Sequence, residues 1–134
     1  MEQTENYIDE DGNTVVFSDN SLKIRELNDR ARKFAGLGGV FGNYKTVLTN
    51  GVTNLIEADK LEMNRLIKVI TNYNNFSYGN DPWGEHDFGN FTINGENMYF
   101  KIDYYSLDLK AGSPDPTDET QTCRVLTIML TSEY

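Results

Sequence analysis

From Asn80 to Tyr105 the chain reads N-D-P-W-G-E-H-D-F-G-N-F-T-I-N-G-E-N-M-Y-F-K-I-D-Y-Y. Asn94-Gly95 accepts positive φ at both positions, which a two-residue type I′ turn requires. The runs on either side, Phe88 to Ile93 and Glu96 to Tyr105, are rich in aromatic and β-branched residues and read as paired strands. With that turn, Ile93 opposes Glu96, Phe91 opposes Met98, and Gly89 opposes Phe100. One face then holds Phe91, Ile93, Met98, Phe100, Ile102 and Tyr104 and is expected to cover the core. The other holds Phe88, Asn90, Thr92, Tyr99, Lys101, Asp103 and Tyr105. A bent polar loop, Phe76 to Asp87, leads into the hairpin and contains the only Trp and the only His. Pro82 fixes one dihedral there and pushes Asp81 out of helical geometry.

Downstream, Thr122 to Thr131 (T-C-R-V-L-T-I-M-L-T) is apolar on both faces over Val125 to Leu130, the pattern of a central strand with cover on each side. Between it and the hairpin, Ser106 to Gln121 is a long turn region with Gly112, Pro114 and Pro116. Upstream, Tyr44 to Thr49 reads as a strand closed by Asn50-Gly51. Two helices are expected. In the first, capped by Ser18 or Asp19, Ile24, Leu27, Ala31, Phe34 and Ala35 form the buried face and the charges between them face water. In the second, Ala58 to Tyr73, the buried side is Leu61, Leu66, Ile67, Val69, Ile70 and Tyr73, with Glu57, Asp59 and Glu62 in its first turns. Gly36, Gly38, Gly39 and Gly42 form a flexible connector that carries neither a phosphate-loop nor a dinucleotide pattern. Residues 1–18 are an acidic leader, disordered at its start, with a turn at Asp11-Gly12 and a short strand at Thr14 to Phe17. The expected fold is α+β: a two-layer sandwich in which two helices pack an antiparallel sheet of about four strands, with room for an extra N-terminal strand. Residues 19–134 are expected to be a single domain.

The formal net charge is -9. Lys23, Arg25, Arg30, Arg32, Lys33 and Lys45 make the early part locally basic, whereas after Lys68 only Lys101, Lys110 and Arg124 are cationic. Such a field argues against direct nucleic-acid binding and favours a basic protein surface as partner. Cys123 is alone, so no intrachain disulfide can form. It is expected to be a small core residue in a reducing, cytoplasmic protein. The N-terminus has no signal-peptide pattern, and no apolar run approaches the roughly 20 residues of a membrane span.

Several runs carry a resemblance: I-R-E-L-N-D (Ile24 to Asp29), V-L-T-N-G-V (Val47 to Val52), N-D-P-W-G-E-H-D-F-G (Asn80 to Gly89), K-I-D-Y-Y (Lys101 to Tyr105), G-S-P-D-P (Gly112 to Pro116) and R-V-L-T-I-M-L (Arg124 to Leu130). From about residue 22 onward the chain resembles a bacterial family known only as a domain of unknown function. The resemblance implies no reaction. It implies a genetic setting, plasmids and phages, in which small acidic proteins block host defence. The family pattern continues K-I-D-Y-Y with Asp, where this chain has Ser106.

Two functional readings follow. In the first, the protein is a small acidic mobile-element protein that inhibits a host nuclease or surveillance complex, in the manner of anti-CRISPR and antirestriction proteins, as a DNA mimic. Its partner-binding candidates are Trp83, Asp81, Tyr105, Asp108, Asp115, Asp118 and Glu119, with neither a cofactor nor a metal. Exposed edge strands also allow a homodimer. In the alternative it is a metal- or ligand-binding enzyme. His86 is then the base, Asp87 or Asp103 orients it, Glu85 assists, and Lys101 or Arg124 binds an anionic group. One His makes no H-E-x-x-H pair, and E-H-D is no nucleophile constellation. Aspartates near Gly and Pro commonly cap turns. The first reading is therefore preferred.

Overall fold

The computed structural model describes residues 7–35 and 40–134. The start of the leader and the connector glycines Gly36, Gly38 and Gly39 lie outside the described residues. In chain order the elements are β1 (Tyr7–Ile8), β2 (Thr14–Val15), α1 (Asp19–Phe34), β3 (Val40–Phe41), β4 (Tyr44–Leu48), α2 (Asn50–Glu57), α3 (Met63–Asn72), β5 (Phe88–Ile93), β6 (Glu96–Tyr105) and β7 (Cys123–Leu130), followed by one 3-10 turn at Thr131–Glu133. The class is α+β, as expected.

The hairpin of β5 and β6 has the register read from its turn: Ile93 opposes Glu96, Phe91 opposes Met98 and Gly89 opposes Phe100. Asn94 and Gly95 have φ of 53° and 79°, the doubly left-handed geometry of a type I′ turn. The main sheet has the order β3-β4-β7-β6-β5, so the apolar run at the C-terminal end is indeed central. The sheet is mixed rather than antiparallel throughout, because β4 runs parallel to β7. A parallel neighbour needs a long return connection, and α2, α3 and the β5–β6 hairpin supply it. The leader strand does not join this sheet. Thr14 and Val15 pair with Ile8 and Tyr7 in a two-stranded hairpin.

Among the described residues, three helices replace the two expected. Asn50-Gly51, read as a turn, begins α2. The cap that permits this comes from the far end of the chain. The Gly51 N–H and the Thr49 hydroxyl donate to the Glu133 carboxylate at 2.9 and 2.6 Å. A Cβ on Gly51 would collide with Glu133 and Leu130, so glycine lets the 3-10 turn close over the helix start. The chain between α2 and α3 bends at Asp59, whose φ is 58°. Glu57, Asp59 and Glu62 therefore lie around that bend and not in one helix.

All three helices lie on one face of the sheet. Ala31 and Ala35, Val52, and Leu66 and Ile70 join Met98, Phe100, Ile102, Leu126 and Ile128 in a single core. The opposite face carries Lys101, Asp103, Val125 and Thr127. At one end of it Tyr134 lies across Tyr99 and Phe88, with centroids 5.5 and 6.1 Å apart. α1 begins where Ser18 accepts the Ser21 N–H. Its apolar stripe is as read, but the charges beside it do not all face water: Arg25 and Arg32 are buried, and so is the polar Asn28. No helix among the described residues is long and apolar enough to cross a membrane.

A candidate site where the first helix meets the Trp83 loop

The loop before β5 is folded around a carboxylate. Asp81 accepts the backbone N–H groups of Glu85 and His86 at 3.1–3.2 Å and the Tyr7 hydroxyl at 2.8 Å. It is only 1% exposed, and burial raises its pKa although Tyr7 and the His86 amide oppose the shift. Gly84, at φ 71°, closes the turn by donating its N–H to the Asp81 carbonyl.

His86 follows with φ 58°, a left-handed conformation that costs a non-glycine residue free energy unless its surroundings fix it. They do. Its ring Nδ1 lies 2.9 Å from Asp29 Oδ1, its Nε2 lies 4.0 Å from Asp81 Oδ2, and its face stacks on Phe76 at 3.8 Å. Asp29 also receives the Arg32 guanidinium. Burial pushes the Asp29 carboxyl up, but the His86 ring and Arg32 together pull it below its usual value. Arg32 then donates to the Ile70 and Tyr73 carbonyls at 3.1 and 2.9 Å, satisfying the open C-terminal end of α3.

A second arm runs toward the sheet. Asn28 donates to the Glu85 carbonyl at 3.0 Å and to the Tyr104 hydroxyl at 2.8 Å, and accepts from Arg124 Nε at 2.9 Å. The Tyr104 hydroxyl donates to the Glu85 carboxylate at 2.8 Å. Burial, then the neighbouring Asp87 and Glu85, raises the Tyr104 pKa. Arg124, 1% exposed, stacks over Tyr104 and donates to the Pro116 carbonyl. Arg25 donates to the Gly84 carbonyl at 2.6 Å and covers the rings of Tyr7 and Phe17.

Arg25, Asn28, Asp29 and Arg32 are spaced i, i+3, i+4, i+7. They form one stripe of α1, turned inward against the loop. Sequence reading missed all four. The spacing is itself the signal, yet a solvated helix face has the same one. Only the loop's lack of cations to answer its own carboxylates hinted that α1 would supply them.

The catalytic candidates are not assembled. His86 bonds to Asp29 and not to Asp103. Asp103 pairs with Lys101 at 2.9 Å, on the sheet face away from the helices. Asp87 is half-buried, and burial followed by Glu85 and Asp81 pushes its carboxyl up to about 6. Arg124 is committed to internal partners. Among the described residues, no group of three His, Cys, Asp or Glu side chains is arranged to hold a metal ion. His86 itself is 6% exposed. This arrangement stitches α1, α3, the loop and β7 together, and it offers a substrate little access.

Of the partner-binding candidates, Trp83 is 75% exposed, whereas Asp81 is sealed inside the loop it holds. Asp108, Asp115 and Asp118 each bond the hydroxyl and backbone of their own turns. Those bonds hold Asp108 and Asp118 below the usual aspartate range. Glu119 accepts from Arg30 at 2.7 Å and from Tyr44 at 2.6 Å. Burial and Glu119 push the Tyr44 hydroxyl up to about 12. Tyr105 is half-buried on β6.

A family model described as "Protein of unknown function (DUF3768)" matches residues 48–133. That is more than half of the chain, which therefore belongs to this family. The match begins well after residue 22, leaving α1 and the leader outside it. No curated protein and no solved structure matches the chain significantly.

Proposed function

We propose that this member of a family of unknown function is a non-enzymatic binding protein from a mobile element. It occupies a basic surface on a host nuclease or surveillance complex, in the manner of an anti-CRISPR or antirestriction inhibitor. The observation that carries this reading is Trp83. Its side chain is 75% exposed on a loop tied down by a buried carboxylate and three bonded amides. A large aromatic presented without ordering cost is what a binding anchor requires.

Charge supports the same reading. Among the described residues, Arg25, Arg32 and Arg124 are buried, against one buried acid, Asp81. Among the described residues, the exposed surface is thus more negative than the formal charge conveys. Such a surface steers association with cationic partners and repels nucleic acid. The enzyme reading, centred on His86 with Asp87 and Asp103, has no geometric observation to favour it.

The test is a pull-down of purified nucleic-acid-binding defence complexes at low and high salt. Retention that weakens with salt, and weakens further when Asp108, Asp115, Asp118 and Glu119 are neutralised, is expected. Absence of binding, or indifference to both changes, contradicts the proposal.

A further inference from the structure

The three helices all pack on the side of the sheet that carries Met98, Phe100, Ile102, Leu126 and Ile128. Ladder register fixes what the other side presents, because residues directly opposite each other in a ladder point the same way. Across β4, β7, β6 and β5 one row reads Val47, Thr127, Lys101 and Phe88. The row beside it reads Lys45, Val125 and Asp103. Beyond these two, Met129 lies beside Tyr99 at one end and Cys123 beside Tyr105 at the other.

This face is apolar where the strands are central. Val125 and Met129 point away from the helices, so β7 keeps the two-sided apolar pattern of a strand covered on both faces. Val47 is 45% exposed, and Val125, Thr127, Tyr99 and Phe88 are half-buried. Tyr134 lies over the Tyr99–Phe88 corner. The charge of the face differs from that of the whole chain. The chain carries -9, yet these four strands place two cations here, Lys45 and Lys101, and one anion, Asp103. A basic partner meets like charge at the lysines, and an acidic one meets it at Asp103. A second copy of the chain meets neither. A two-fold axis requires a patch complementary to itself, and this patch is. An axis running across the strands, between the Lys101 row and the Asp103 row, sets each Lys101 against the other copy's Asp103. The same axis lays Val125 over Thr127 and Tyr99 over Tyr105, sheet on sheet with the strands aligned.

We infer that the open face of β4, β7, β6 and β5 is a self-association surface, through which two copies of the chain pair about a two-fold axis. Strands about 4.8 Å apart, rising about 3.3 Å per residue, give the four a face of roughly 450 Å² in projection. That is at the small end of specific interfaces, so the pairing is reversible and depends on concentration. It uses side chains of central strands and is distinct from pairing through an exposed edge. It does not depend on the host target proposed above.

Sedimentation velocity of the full-length protein tests this. From about 1 μM to about 1 mM, the 15.3 kDa monomer should shift toward twice that mass, with a midpoint on the order of 100 μM. Val47→Glu should raise that midpoint at least about tenfold. Lys101→Asp and Asp103→Lys should each do the same, because each sets like charges against one another across the axis. Mixing these two variants should restore pairing, which no general loss of folding can imitate. Melting temperatures at about 1 μM, where the chain is monomeric, confirm that the variants fold. The Lys101–Asp103 pair is more than a third exposed and contributes little to the monomer. A monomer at every concentration overturns the inference and leaves the face to a different partner. A dimer that ignores all three substitutions also overturns it, as does a mixture of folded charge variants that stays monomeric.

Discussion

His86 occupies a left-handed conformation at φ 58° and is held there from four sides, by Asp29, Asp81, Phe76 and its own backbone amide. Replacing it by Ala removes the stack and leaves the half-buried Asp29 paired with Arg32 alone. His86→Ala should cost about 2–4 kcal/mol in denaturant unfolding. Lys101→Ala with Asp103→Ala, by contrast, removes an ion pair more than a third exposed and should change stability by less than about 0.5 kcal/mol. Asp87 gives a pH signature. Its carboxyl is raised from the usual value to about 6, so the folded state holds a proton that the unfolded state releases earlier. That contribution is complete below the unfolded value and is lost as pH rises through about 6. Asp87→Asn should therefore stabilise the protein at pH 7, by roughly 2 kcal/mol, and change little below about pH 4. Thermal melts of both proteins across that range check the sign. The sequence made His86 and Asp81 legible as loop residues, because Pro82 and the glycines demand a bend. It could not show Asp29, since a helix residue 57 positions away meets the loop only after folding.

At the level of elements, alternation and turn chemistry carried most of the reading. Asn94-Gly95 determined the β5–β6 register, and the apolar run of β7 placed it in the middle of the sheet. What escaped was non-local. α2 begins at Asn50 because Glu133 accepts the Gly51 N–H and the Thr49 hydroxyl, and nothing near Asn50 announces that partner. Glu133→Ala should loosen the start of α2, costing about 0.5–1 kcal/mol as other cap deletions do. Faster hydrogen exchange at the first amides of α2 would localise the loss there. Gly84 joins two elements. Its φ of 71° disfavours any side chain, and Phe17 occupies the space that a Cβ would need. Gly84→Ala should undock the leader hairpin, read as rapid proteolysis between Val16 and Ser18 while residues 19–134 stay folded.

Across the whole molecule, three of the twelve Lys and Arg side chains, among the described residues, are drawn into the interior. Charge counting along the chain located a basic early segment, but folding draws Arg25 and Arg32 inside, and Arg124 joins them from β7. Composition cannot show this, since an arginine on an amphipathic helix is ordinarily at the surface. The outcome is a surface that has given up three arginines to the interior and presents an exposed tryptophan, supported by an internal polar network that includes the only imidazole. The most direct test compares the melting temperatures of His86→Ala and Trp83→Ala with that of the parent protein. A fall of about 5 °C or more for His86→Ala, with Trp83→Ala unchanged, is predicted. A His86→Ala protein that melts with the parent would contradict the bracing role on which the account depends.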